Sequence, residues 1–102
     1  MNTIDVHQLK EKIASQSNLN LVDVREPSEH DEFNVGGLLL PLGEIRMGNI
    51  EQIELLKDQE VILYCRSGNR SGQAALILES MGFTNVINVV GGMLSWQENF
   101  AK

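Results

Sequence analysis

Apolar positions along this chain switch between two spacings, and the switching predicts strands and helices in turn. Asn2-Thr3-Ile4 reads as a short first strand and Asp5 as a helix cap; Val6, Leu9 and Ile13 then mark one apolar face of a helix ending near Gln16. Leu19 to Val24 is a strand of mixed pattern, apolar on much of both faces. It stops at Arg25-Glu26-Pro27, where proline suits the first turn of a short helix running towards His30. Leu38 to Leu40 predicts a short buried strand, and Leu42 to Gly48 an irregular connection or short helical turn. Ile50, Ile53 and Leu56 or Leu55 mark an amphipathic helix closed by Lys57-Asp58-Gln59.

The second half repeats the alternation more strongly. Glu60 to Tyr64 is a strand that runs into Cys65, and a helix follows over Gly72 to Met81, apolar enough to be largely buried. Gly82-Phe83 predicts a left-handed cap with a hydrophobic contact. Val86 to Val90 is a last strand; Gly91-Gly92 lets the chain turn closely past the strand end. Met93, Trp96 and Phe100 share one face of a terminal helix and read as core. Strands alternating with helices imply an α/β fold: a mainly parallel central sheet of about five strands, right-handed crossovers and helices on both faces. The chain, 1–102, is expected to be a single domain.

Composition narrows the function classes. Hydrophobic residues make up 42% and charged residues 22%, ordinary for a soluble globular protein. No apolar run is long enough to span a bilayer, the N-terminus lacks a signal pattern, and the lone cysteine suits a reducing compartment, so the cytoplasm is the expected location. A net charge of −6 with no basic stripe argues against nucleic acid as a partner. It would also repel an anionic substrate, unless local charge near Arg66 and Arg70 outweighs the total.

Those arginines flank the chain's one thiol. Cys65 stands where a strand gives way to a polar loop, Arg66-Ser67-Gly68-Asn69-Arg70-Ser71, and then to a helix start. Inward-pointing loop N–H groups and the helix N-terminus favour negative charge there, so Cys65 is expected to ionise readily and act as a nucleophile. Ser71 or Asn69 is a candidate helix cap. Ligand sites in parallel sheets lie at C-terminal strand ends, and Asp23-Arg25, Cys65 and Gly91-Gly92 all fall at such ends. Asp23, set among aliphatic neighbours, needs partners: either it braces the reactive loop or one of its arginines, or backbone N–H groups satisfy it. His7 and His30 read as surface histidines, and Arg46 as a solvated arginine within possible reach of the pocket.

The Cys65–Arg70 loop, the upstream Leu21-Val22-Asp23-Val24-Arg25-Glu26 and the late Val90-Gly91-Gly92-Met93 together resemble the rhodanese family over nearly the whole chain. The resemblance implies a sulfurtransferase that carries sulfur as a persulfide on Cys65 and needs no metal or organic cofactor. Arg66 and Arg70 would hold an anionic donor such as thiosulfate and lower the thiol's pKa, and Ser67, Gly68, Asn69 and Ser71 would shape the cradle. Asp23 and Arg25 would lie near the reactive loop, Asp23 in support and Arg25 touching substrate or loop. The acceptor would be a thiol, a protein partner or, in assay, cyanide. The chain departs from the family at Asn34 and Gly36, where many rhodaneses have histidine and proline. Cysteine phosphatases and arsenate reductases also place Cys at a strand end and Arg at a helix start, but their loops are one residue longer than the four residues between Cys65 and Arg70. A shorter loop favours one sulfur atom over a phosphate. A non-catalytic rhodanese-like binding module is the third alternative, against which the presence of Cys65 speaks.

Overall fold

Val61, Ile62, Leu63 and Tyr64 are wholly buried, and the sheet is built outward from them. The computed structural model describes residues 1–16 and 18–100. Its five strands are β1 (Asn2–Ile4), β2 (Leu21–Asp23), β3 (Leu38–Leu39), β4 (Glu60–Tyr64) and β5 (Asn85–Val89). They lie in the order β1-β5-β4-β2-β3, and every neighbouring pair is parallel. Five helices complete the described chain: α1 (Val6–Ser15), α2 (Pro27–Glu32), α3 (Leu42–Arg46), α4 (Asn69–Ser80) and α5 (Gly92–Phe100).

Side chains alternate across β4, so its residues divide between two cores. Val61, Leu63 and Cys65 pack with Ile45 of α3 and Ala74, Ala75 and Leu78 of α4. Ile62 and Tyr64 pack on the opposite face with Val6 and Leu9 of α1 and Met93 of α5, with Trp96 and Phe100 partly covered behind them. Helices therefore cover both faces, as the alternating pattern predicts.

Several local expectations hold for their stated reasons. The Asp5 carboxylate accepts the Gln8 N–H at 2.9 Å, and the Gln8 side chain accepts the Asp5 N–H at 2.9 Å, a reciprocal cap at the start of α1. After α4, Gly82 takes φ +101. The Phe83 and Gly82 N–H groups close back onto the Leu78 and Glu79 carbonyls at 3.1 Å each, and Phe83 is buried.

Other expectations need correction. Residues 50–56 are not an amphipathic α-helix but a run of turns with a 3₁₀ segment at Glu54–Leu56. Ile50, Ile53 and Leu56 recur every third residue, which aligns them at three residues per turn. The N–H groups of Ile53, Leu56 and Gln59 bond the carbonyls of Ile50, Ile53 and Leu56 at 2.9–3.0 Å. Leu38, on the edge strand β3, is 41% exposed rather than buried, because β3 has a neighbour on one side only. Ile13 lies at the exposed margin of α1. α4 starts at Asn69, three residues before the expected Gly72, and turns Leu76 outward at 59% exposure. Its cap is Gly68, with no side-chain cap from Asn69 or Ser71. Gly68 adopts φ +100, a backbone state that an L side chain resists, and Ser71 is committed elsewhere.

Candidate active site

Cys65 leaves the end of β4 with only 1% of its surface exposed. The next turn folds back over it: the Gly68 N–H donates to Cys65 Sγ at 3.1 Å, and Ser71 Oγ, from the first turn of α4, lies 3.3 Å from the same sulfur. Burial pushes the Cys65 thiol up, but hydrogen bonding by Ser71 and by the backbone N–H groups of Gly68 and Ser67 outweighs it and leaves the thiol below its ordinary value. The lowering comes from these neutral groups rather than from the arginines, which the sequence suggested for that task.

The third strand end holds the loop from behind. The N–H groups of Met93 and Leu94, in the first turn of α5, donate to the carbonyls of Cys65 and Arg66 at 2.9 Å each. These are donors that a helix start leaves without an intrahelical partner. The approach requires glycine: at Gly92, with φ +53, a Cβ would overlap the Cys65 carbonyl and come within 2.6 Å of the Arg66 oxygen. Gly91-Gly92 thus seats the loop that begins at Cys65 on α5.

Asp23 braces Arg25 rather than a loop arginine. Its carboxylate accepts from Arg25 Nε at 2.9 Å, Arg25 Nη2 at 2.8 Å and the Arg25 backbone N–H at 3.0 Å. The backbone reading of Asp23 is thus realised in part, through the Arg25 N–H, whereas the bracing of the reactive loop or one of its arginines is not: the side-chain partners are Arg25 and His30. Burial pushes the Asp23 carboxyl up, and the hydrogen bonds from Arg25 and His30 overcome that and hold it below its ordinary value. His30 is not a solvent-facing histidine. It is half-buried, with Nδ1 at 2.8 Å from Asp23 Oδ2. Arg25 also donates to the Phe33 carbonyl and lies 5.5 Å from the centre of the Tyr64 ring. Burial pushes the Tyr64 phenol up to about 12.

Arg70 forms a two-pronged pair with Glu29 of α2, at 2.7 and 2.8 Å. These bonds hold the Glu29 carboxyl down at about 2. Arg66 is exposed and forms no ion pair among the described residues. A cleft of about 260 Å³ opens here, lined by Arg25, Glu29, Glu32, Arg66, Met93 and Leu94 among others. Its rim comes from α2 and α5. Arg46 is not part of the lining and instead donates to Gln73 of α4. His7 is exposed, as expected, with its ring edge-on to Phe100.

The structure therefore brings Ser67, Gly68 and Ser71 onto the sulfur and Arg25 and Arg66 into the cleft. Asn69 is exposed, and Arg70 is engaged by Glu29. Sequence reasoning missed two neighbours. Glu29 had only its place two residues after Pro27 to mark it. Asn88, a polar residue between Ile87 and Val89 in a buried strand, was the legible signal: its amide bridges Ser71 Oγ and the Gly68 carbonyl.

Comparison with known proteins gives one answer. A sulfurtransferase of Allochromatium vinosum is 37% identical over 94% of this chain and 88% of its own length. The YrkF protein of Bacillus subtilis is 38% identical over 91% of this chain, which spans about half (49%) of that longer relative. A rhodanese-like domain protein from Staphylococcus aureus superposes with a TM-score of 0.82 at 29% identity, over 94% of this chain and 91% of its own. The model of the rhodanese-like domain matches residues 5–99, and this chain belongs to that family.

Proposed function

We propose that the chain is a sulfurtransferase in which Cys65 carries the transferred sulfur. The observation that carries this reading is the sulfur's setting: a buried Sγ at a strand end, met by the Gly68 N–H and the Ser71 hydroxyl inside a short loop. The Cys65 thiolate attacks the outer sulfur of a donor such as thiosulfate, a persulfide or a polysulfide. A bond forms between Sγ and that sulfur; the donor's sulfur–sulfur bond breaks, and its electron pair leaves with the remaining fragment. A thiol, a protein thiol or cyanide then attacks the outer sulfur and returns Cys65 as thiolate. This two-step exchange needs no metal or organic group.

The chain's own residues divide the work. Gly68 and Ser71, with the Ser67 backbone, stabilise charge on sulfur, and Arg66 draws an anionic donor into the cleft beside Arg25. Arg70 joins them when it leaves Glu29, and Asn69 starts the helix that aims the loop. Asp23 keeps Arg25 in place. The four residues between Cys65 and Arg70 make a short loop, which favours one sulfur atom over a phosphate. Among the described residues no helix is long and apolar enough to cross a membrane. A nucleophilic thiol with no disulfide partner suits a reducing compartment, and we place the activity in the cytoplasm.

Steady-state kinetics test the reading. Thiocyanate formation from thiosulfate and cyanide is expected to give the parallel double-reciprocal plots of a two-step exchange and to vanish in Cys65→Ser. Sulfur transfer that survives Cys65→Ser would overturn it, as would Cys65-dependent hydrolysis of an aryl phosphate without sulfur transfer.

A further inference from the structure

The hydroxyl of Ser71 has one proton and two claimants. Its oxygen lies 3.3 Å from Cys65 Sγ and in short contact with Asn88 Oδ1. Asn88, 7% exposed on β5, cannot freely turn its amide over. Its Nδ2 faces the Gly68 carbonyl at 3.1 Å, and a carbonyl can only accept. Oδ1 must therefore face Ser71, and an amide oxygen can only accept as well. The Ser71 proton consequently points to Asn88, leaving a Ser71 lone pair towards the sulfur. That arrangement suits a thiol, whose S–H can donate to Ser71 Oγ. It does not suit a thiolate, which needs the Ser71 proton for itself.

We infer that Asn88 is a positioning residue that competes with Cys65 for the single hydroxyl proton of Ser71. Ionisation of Cys65 then requires the hydroxyl to rotate towards sulfur, and Asn88 Oδ1 is left buried without a donor. Turning the amide instead would set two oxygens against each other at Gly68. Both alternatives cost a hydrogen bond in a buried site. Asn88 thereby opposes the thiolate that the Gly68 N–H favours, and the balance is set by one strand residue outside the reactive loop. Once Sγ carries a second sulfur it is no longer the anionic atom, and the proton can return to Asn88.

Other charges around the sulfur do not replace this device. Arg70 of α4 acts on Cys65 electrostatically but is paired with Glu29; Arg66 is exposed; Asp23 and Arg25 offset each other. β5 has no charged residue, and the first on α5 is Glu98, in its last turn.

The inference rests on Cys65 being the nucleophile, but its test reads ionisation rather than sulfur transfer, so the two can fail separately. The thiolate is followed by its ultraviolet absorbance against pH, a signal that the single cysteine makes unambiguous. In Asn88→Ala the midpoint is expected to move to lower pH. At a fixed pH below it, the thiolate fraction should rise about five-fold, the factor that one neutral hydrogen bond of about 1 kcal/mol commands. In a Ser71→Ala background, Asn88→Ala should leave the midpoint where it is. Asn88→Val, suited to a buried strand, repeats the test if the alanine variant does not fold. A midpoint that rises or stays put in Asn88→Ala would show that Asn88 only holds the loop, and so overturn the inference. An equal fall with and without the Ser71 hydroxyl would overturn it too.

Discussion

Replacing Glu29 with glutamine should make the enzyme a better user of anionic donors. In the structure Glu29 holds both Nη atoms of Arg70, at 2.7 and 2.8 Å, and lines the cleft that the proposed anionic donor would enter. A donor that recruits Arg70 has to displace a carboxylate that is already there. The two side chains are 31% and 27% exposed, so solvent screens the pair, and about 0.2–1 kcal/mol is a fair range for its strength. That corresponds to about a 1.5- to five-fold gain in kcat/KM for thiosulfate in Glu29→Gln, with loss of the carboxylate's repulsion acting in the same direction. The assay is initial-rate thiocyanate formation at fixed cyanide, repeated with an uncharged donor such as a dialkyl trisulfide. The uncharged donor should gain less, and the difference should shrink at high salt. An equal gain for both donors would refute the reasoning, as would a fall for thiosulfate, which would make Glu29 the residue that aims Arg70 at its substrate.

The same pair gives a pH prediction. The Glu29 carboxyl is held at about 2, below its ordinary 4.5, so its stabilisation is complete above about 4.5 and is lost as pH falls towards 2. Urea titrations should show Glu29→Gln less stable than the parent at neutral pH, and the gap should close near pH 2. Asp23→Ala leaves the Arg25 guanidinium, 5% exposed, without its counter-ion. A loss of about 3–5 kcal/mol is expected in urea unfolding, and a loss below about 1 kcal/mol would contradict the pairing described above. Gly92→Ala should cost about 3 kcal/mol, from its positive φ and the overlap with the Cys65 and Arg66 carbonyls. Gly43→Ala, inside α3 with nothing within 4 Å of an added Cβ, should be neutral or slightly stabilising.

The parallel sheet was legible because each crossover left its own mark. β4 is a buried run, the middle of α4 from Ala74 to Leu78 is wholly apolar, and Gly82-Phe83 closes that helix as a cap must. The failures share a physical cause. A spacing of three in Ile50, Ile53 and Leu56 fits a 3₁₀ segment as well as an α-helix face, and only the i→i+3 bonds separate them. Leu38 and Leu76 are leucines that local pattern assigns to the core, whereas exposure is decided by which edge of the sheet or side of the helix lacks a neighbour. Within the site, what lies along the chain was readable: Cys65, Gly68, Ser71 and the glycine pair. Contacts made across the sheet were not. Asp23 with His30, Arg70 with Glu29, and Ser71 with Asn88 each join separate elements, and no local spacing announces such a partner.

Intact-protein mass spectrometry after brief exposure to thiosulfate tests the central claim most directly. The protein should gain one sulfur atom, lose it to cyanide with release of thiocyanate, and show neither change as Cys65→Ser. A mass left unaltered by thiosulfate, persulfide and polysulfide donors alike would contradict sulfur transfer through Cys65 and leave a rhodanese-like fold that only binds.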